Sequence, residues 1–185
     1  GVHVEVAGLE RLVPGRTYLF VANHQSIYDI PILFWSLPYQ LRIIAKASLG
    51  GFPFLGWHLR RTGHMLVDRN RPDRTKIFGW AARLTSNGLC LIVFPEGTRS
   101  NKGEPQPFKS GLYHLAEQFP NVPLIPAWID NVQRVMPKGE VVPVPILCSV
   151  TFGAPMRLDA AEDKRAFLVR ARNALRRELR LGQVD

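Results

Sequence analysis

Residues 89–100 read LCLIVFPEGTRS, and this stretch decides the fold. Six apolar residues in succession, Leu89 to Phe94, describe a strand buried on both faces, as the inner strands of a parallel sheet are. Pro95 and Gly97 then force a turn at the strand's end. That turn presents Glu96, Thr98 and Arg99 together with backbone N–H groups. In α/β sheets the loops at the carboxyl ends of strands usually build the site. The polar, proline-bearing segment 100–109 extends this loop and ends at Lys109. Lys109 and Gly111 open the next helix and add charge and N–H groups at its start.

Similar elements lie on either side. Residues 17–22, 41–47, 65–68, 122–129 and 144–152 read as strands, the fourth interrupted by prolines. Ile77, Ala81 and Leu84 recur at helical spacing over 74–86, with Asp73 as N-cap and Asn87-Gly88 as the stop. Residues 110–118 read as a short helix. In the last helix Leu168, Ala171, Leu175 and Leu179 form an apolar stripe, and Asp159 with Glu162 forms a start resembling a capping box. Six arginines, from Arg165 to Arg180, populate its remaining faces. Strands alternating with helices predict a single α/β domain over residues 1–185, with a mostly parallel or mixed sheet flanked by helices.

The chain has 185 residues, 46% of them hydrophobic and 21% charged, enough for one globular core. Its net charge of +9 suits a polyanionic partner, either nucleic acid or anionic lipid headgroups. Cys90 and Cys148 each sit in an apolar run and read as buried free thiols. No stretch reaches the ~18–20 apolar residues of a transmembrane helix. The chain begins at Gly1, so an N-terminal membrane anchor ahead of it is compatible with the sequence.

A second constellation follows the first strand. In NHQSIYD, residues 23–29, His24 supplies a base that titrates near neutrality and Asp29 a group to orient it. One continuous helix would set these two side chains about 140° apart, so the pair must straddle a turn. Ser26 as N-cap favours a helix start there, whereas Pro31 favours a slightly later one.

Residues 48–61, SLGGFPFLGWHLRR, pack Phe52, Phe54, Leu55 and Trp57 between glycines and end in Arg60-Arg61. Residues 30–37 are similarly apolar and include Phe34 and Trp35. Two readings stand: a surface that dips into a bilayer, or a core or acyl-chain pocket lined by the same residues.

Four blocks in order carry a resemblance: Asn23-His24-Gln25-Ser26 through Asp29, Gly63 through Arg69, Phe94 through Ser100, and Val122 through Pro126. The chain resembles the glycerophospholipid acyltransferase family, best known for 1-acylglycerol-3-phosphate O-acyltransferases. The resemblance implies a glycerolphosphate-acyltransferase-like fold. It implies that His24 deprotonates an acceptor hydroxyl while Asp29 orients it. It implies that Glu96, Gly97, Thr98 and Arg99 help hold a phosphorylated acceptor, with Arg69 and Lys109 contributing, and that the fourth block lines the acceptor or acyl site. The co-substrate would be acyl-CoA or acyl carrier protein, with no metal and no further cofactor. The partners would be membrane lipids and a lysophospholipid acceptor, at the cytoplasmic face of a membrane. Glycerol 3-phosphate and a lyso-ornithine lipid are alternative acceptors. A thioester hydrolase using the same pair, and a basic nucleic-acid-binding module, are readings of other classes. The second is disfavoured because the aromatics cluster in apolar segments rather than alternating with Lys and Arg.

Overall fold

The computed structural model describes residues 3–26, 28–68, 70–99, 103–130 and 147–181. Seven strands form one sheet: β1 (His3–Ala7), β2 (Leu19–Ala22), β3 (Leu41–Lys46), β4 (Met65–Val67), β5 (Cys90–Val93), β6 (Leu124–Asp130) and β7 (Leu147–Phe152). Among the described residues five helices accompany them: α1 (Asp29–Ser36), α2 (Leu55–Arg61), α3 (Arg74–Ser86), α4 (Gly111–Gln118) and α5 (Lys164–Leu181). The strand order is β1-β7-β6-β2-β5-β3-β4. All neighbours run parallel except β6 and β7. The expected mixed sheet flanked by helices is therefore present.

The period-2 alternation of strands sorts side chains between two cores. Phe20, Ala22, Ile43, Ala45, Ile92 and Ile125 face Ile32 and Leu33 of α1 and Leu59 of α2. Leu19, Val21, Leu91, Val93 and Trp128 face α3, α4 and α5, which contribute Trp80, Ala81, Leu112, Leu115, Phe167 and Ala171. The strands β2 and β5 are buried along their whole length. This is the environment that the unbroken apolar run of 89–94 requires.

Cys90 and Cys148 are buried free thiols. Strands β6 and β2 separate them in the sheet. The Tyr18 N–H donates to Cys90 Sγ at 3.3 Å, and burial pushes this thiol's pKa up.

Two elements differ from the sequence reading. Strand β1 lies outside the strands read from the sequence; its HVEVA alternation leaves it only half-buried at the sheet edge, with too few apolar residues to stand out. The final helix begins at Lys164 rather than at Asp159. Asp163 caps it, accepting the Ala166 N–H at 2.9 Å, while Asp159 and Glu162 close the turn before it.

The segment between β3 and β4 is compact. A 3₁₀ turn at Ala47–Gly51 packs directly on α2. A methyl group on Gly56 would meet the Gly50 carbonyl oxygen at 2.2 Å, so only glycine allows this approach.

Candidate active site

The chain leaves β2 at Ala22 and turns at once, because Asn23 continues the ladder with its side chain. Asn23 Nδ2 donates to the Ile129 carbonyl at 2.8 Å, and its Oδ1 accepts the Ile129 N–H at 2.7 Å. Helix α1 begins at Asp29, later than Ser26 and in line with the position of Pro31. His24 and Asp29 thus straddle a turn, as their spacing requires.

The turn folds onto the Asp29 carboxylate. Oδ2 accepts the Gln25 N–H at 2.7 Å and the Ser26 N–H at 2.9 Å. It also lies 2.8 Å from His24 Nδ1. A carboxylate oxygen that accepts two backbone donors is an acceptor toward the ring as well, so Nδ1 presents its proton to Asp29. Asp29 is fully buried, and the His24 ring stacks on Phe94 with centroids 4.4 Å apart. The imidazole is therefore held by a hydrogen bond at its edge and a ring at its face.

Glu96 ties this turn to the loop after β5. Its Oε1 accepts the His24 N–H at 3.0 Å and its Oε2 the Gln106 N–H at 2.8 Å. The residue is buried, and desolvation pushes its pKa up while the two N–H bonds pull it back. Gln106 belongs to a segment that α5 fixes in turn: Arg172 donates to the Pro105 carbonyl at 2.7 Å, and Arg176 pairs with Glu104 at 2.5 Å. Arg170 instead takes Glu162, so these three arginines on α5 are anchors within the fold.

Gly97 has φ +73, which suits glycine, and a methyl group there would come within 2.7 Å of Lys109 Cε. The Lys109 stem therefore lies across Gly97. Its backbone N–H donates to the Pro95 carbonyl at 2.8 Å. Thr98, Arg99 and the Lys109 side chain are exposed.

Beside this loop opens a cleft of about 450 Å³ between α3 and α4. Ile44, Ile77, Phe78, Val93 and Leu112 supply apolar lining, and Asn70, Arg74, Lys109 and His114 polar lining. Phe94 is shared: it lines the cleft and stacks on His24. Among the described residues no three His, Cys, Asp or Glu side chains converge as metal ligands would.

A profile described as Acyltransferase matches residues 3–130. The chain belongs to this acyltransferase family. The 1-acyl-sn-glycerol-3-phosphate acyltransferase of Saccharomyces cerevisiae is 37% identical over 146 residues, covering 76% of this chain and 48% of that protein. The alpha form from Mus musculus is 35% identical over 142 residues, covering 76% of this chain and 50% of its own length. The chain thus spans about half the length of the curated relatives it matches. The crystal structure of the 1-acyl-sn-glycerophosphate acyltransferase PlsC from Thermotoga maritima superposes with a TM-score of 0.79 at 25% identity. That match covers all of this chain and 74% of the other.

Within this acyltransferase domain, the structure brings His24, Asp29, Glu96, Gly97 and Lys109 into one contact network. Thr98 and Arg99 stand on its exposed side. Arg69 lies outside the described residues. Val122–Pro126 enters β6 and supplies core through Leu124 and Ile125, and the cleft beside Phe94 is lined by other residues. Sequence reasoning gave no role to Asn23, Phe94 or Gln106. Asn23 and Phe94 lie inside the quoted blocks, whereas Gln106 acts through its backbone and leaves no side-chain signal.

Proposed function

We propose that this chain is a single acyltransferase domain that moves a fatty acyl group from a thioester to the free hydroxyl of a lysophospholipid. The favoured acceptor is 1-acylglycerol-3-phosphate, which would give phosphatidic acid. The observation that carries the reading is the His24–Asp29 contact of 2.8 Å, with the same Asp29 oxygen held by two backbone N–H groups.

In this reading Nε2 of His24 accepts the proton as the acceptor hydroxyl attacks the thioester carbonyl. Asp29 stabilises the imidazolium that forms, and the buried turn prevents the ring from rotating away. The new C–O bond forms, the C–S bond breaks, and the leaving thiolate takes the proton back from His24. No acyl-enzyme is required. A base of this kind supplies about 10²–10⁴-fold, so positioning of the two substrates must contribute heavily. Arg99 and Lys109 provide cations for the acceptor phosphate, with Thr98 and the Gly97 backbone beside them. The cleft at Phe94 has the apolar lining that a fatty chain needs. The donor is acyl-CoA or acyl carrier protein, with no metal or further cofactor. Because the acceptor is itself a membrane lipid, the domain works at a membrane, on the cytoplasmic face where such donors are found. No described helix is long and apolar enough to cross a membrane.

The test is an acceptor panel offered with one acyl-CoA and one acyl carrier protein donor, read by mass spectrometry. New lysolipid ester that disappears in His24→Ala supports the reading. Free fatty acid without ester would replace transfer by thioester hydrolysis.

A further inference from the structure

Residues 30–67 contain no Asp or Glu and four cations, Arg42, Lys46, Arg60 and Arg61. The same stretch holds five of the seven large hydrophobic side chains that stand exposed among the described residues. All five are aromatic: Phe34, Trp35, Phe52, Phe54 and Trp57. Three of them fall within six residues of one another on a segment with unusual backbone. Phe54 has φ 58 and ψ −57, and it is the one described non-glycine residue with positive φ. Its side chain is nevertheless 87% exposed.

In water this arrangement is doubly unfavourable. A β-carbon at positive φ is strained, and an exposed phenyl ring gives no burial in return. Glycine would relieve the strain at such a tip. Hydrogen bonds nonetheless pin the backbone around Phe54. The Gly56 N–H donates to the Phe52 carbonyl at 2.9 Å and the His58 N–H to the Phe54 carbonyl at 2.8 Å. Arg60 staples the segment by donating to the Gly50 carbonyl at 2.8 Å. Strain that the scaffold maintains at an exposed apolar tip points to a site of interaction.

We infer that Phe52, Phe54 and Trp57, flanked by Arg60 and Arg61, form a surface that docks into the headgroup layer of an anionic lipid bilayer. Charge selects this occupant. The stretch is cationic without a compensating carboxylate, and a lipid interface takes aromatic rings at headgroup depth with arginines on the phosphates. Arg61 already stacks over Trp57 at 5.4 Å, so the cation and the ring are presented together. The surface is linked to the catalytic turn. Helix α1 starts at Asp29, and its Phe34 makes an edge contact with His64, just past α2, at 5.8 Å. Docking would therefore orient the His24 turn relative to the bilayer. This deepens the acyl-transfer reading, on which it rests only for the choice of a membrane-borne acceptor.

The experiment uses the purified 185-residue protein and co-sedimentation with phosphatidylcholine vesicles, with and without phosphatidylglycerol. A variant carrying Phe52→Ser, Phe54→Gly and Trp57→Ser should lower the partition coefficient about tenfold or more. Its thermal midpoint should not drop, because glycine relieves the backbone at residue 54. Arg61→Gln should weaken binding only where phosphatidylglycerol is present. Equal partitioning of wild type and the triple variant overturns the proposal. So does a wild-type oligomer, seen by light scattering, that the triple variant abolishes and vesicles do not compete away, since the face would then bind a second copy. Acyl transfer to a short-chain, dispersed acceptor without vesicles is measured in parallel. Its absence in the wild type would remove the acyl-transfer reading and leave the docking result standing.

Discussion

Glu96 Oε1 lies 3.0 Å from the His24 backbone nitrogen, so one loop's carboxylate holds the other loop's main chain. Its second oxygen is occupied by Gln106. With both oxygens taken, Glu96 holds the His24 turn in place. Glu96→Gln places an amide NH₂ against one of two backbone donors. The expected result is a fall in kcat of about 10–100-fold with the acceptor KM changed little. Initial-rate kinetics over a range of acceptor concentrations check it. A higher KM at unchanged kcat would return Glu96 to direct contact with substrate.

Asp29 has a structural and a chemical task, and two substitutions separate them. Asp29→Ala strands the Gln25 and Ser26 N–H groups in a buried turn and should cost about 1–3 kcal/mol in urea denaturation. Asp29→Asn, with its amide oxygen in the place of Oδ2, still accepts all three donors but carries no charge to stabilise the imidazolium. Its kcat should fall by about 10²–10⁴-fold with a smaller change in stability. His24→Ala should abolish transfer and leave the urea midpoint close to wild type.

On the exposed side of the site, Arg99→Ala should raise the KM for a phosphate-bearing acceptor about tenfold without altering the thermal midpoint. An unchanged KM and kcat would remove Arg99 from the acceptor site. Gly97→Ala acts from beneath: it strains the backbone and displaces the Lys109 stem. It should cost about 1–2 kcal/mol and weaken acceptor binding as well. Calorimetry and kinetics on the same preparation test the coupling.

His64 makes stability depend on pH. Burial, with Arg42 and His58 nearby, lowers its pKa from 6.5 to about 4, and its Nδ1 accepts the Ile43 N–H at 3.1 Å. Between these values the unfolded chain binds a proton that the folded chain refuses. The stabilisation is complete above pH 6.5 and is lost as pH falls toward about 4. In His64→Gln, whose amide oxygen can accept the same N–H, the thermal midpoint should fall less steeply across this window. An identical slope in the two proteins would show that other groups govern the acid limb.

The apolar run at 89–94 was enough to reveal a buried parallel strand, because a strand covered on both faces has no polar positions to hide it. The turn between His24 and Asp29 was legible because helical geometry forbids the alternative. Edge strand β1 was not, since half-burial leaves a weak pattern. The start of α5 was misplaced because Asp159, Glu162 and Asp163 offer competing caps within five residues, and only packing selects among them. Whether Phe52, Phe54 and Trp57 were core or surface was undecidable from composition, which records apolarity and not direction. The hydrogen bonds of Glu96 were illegible for a similar reason: no local pattern shows that a carboxylate beside an arginine accepts two backbone N–H groups.

The two hydrogen bonds between Asn23 and Ile129 have a consequence for how the protein moves. Within the β2–β6 ladder an amide bonded to the neighbouring strand is released only when the strands separate. At Ile129 the protecting oxygen belongs to a side chain at the root of the catalytic turn. This amide therefore exchanges with solvent deuterium when that turn lifts, even while the sheet stays closed. A single backbone proton deep in the sheet thus serves as a clock for the opening of the active-site loop.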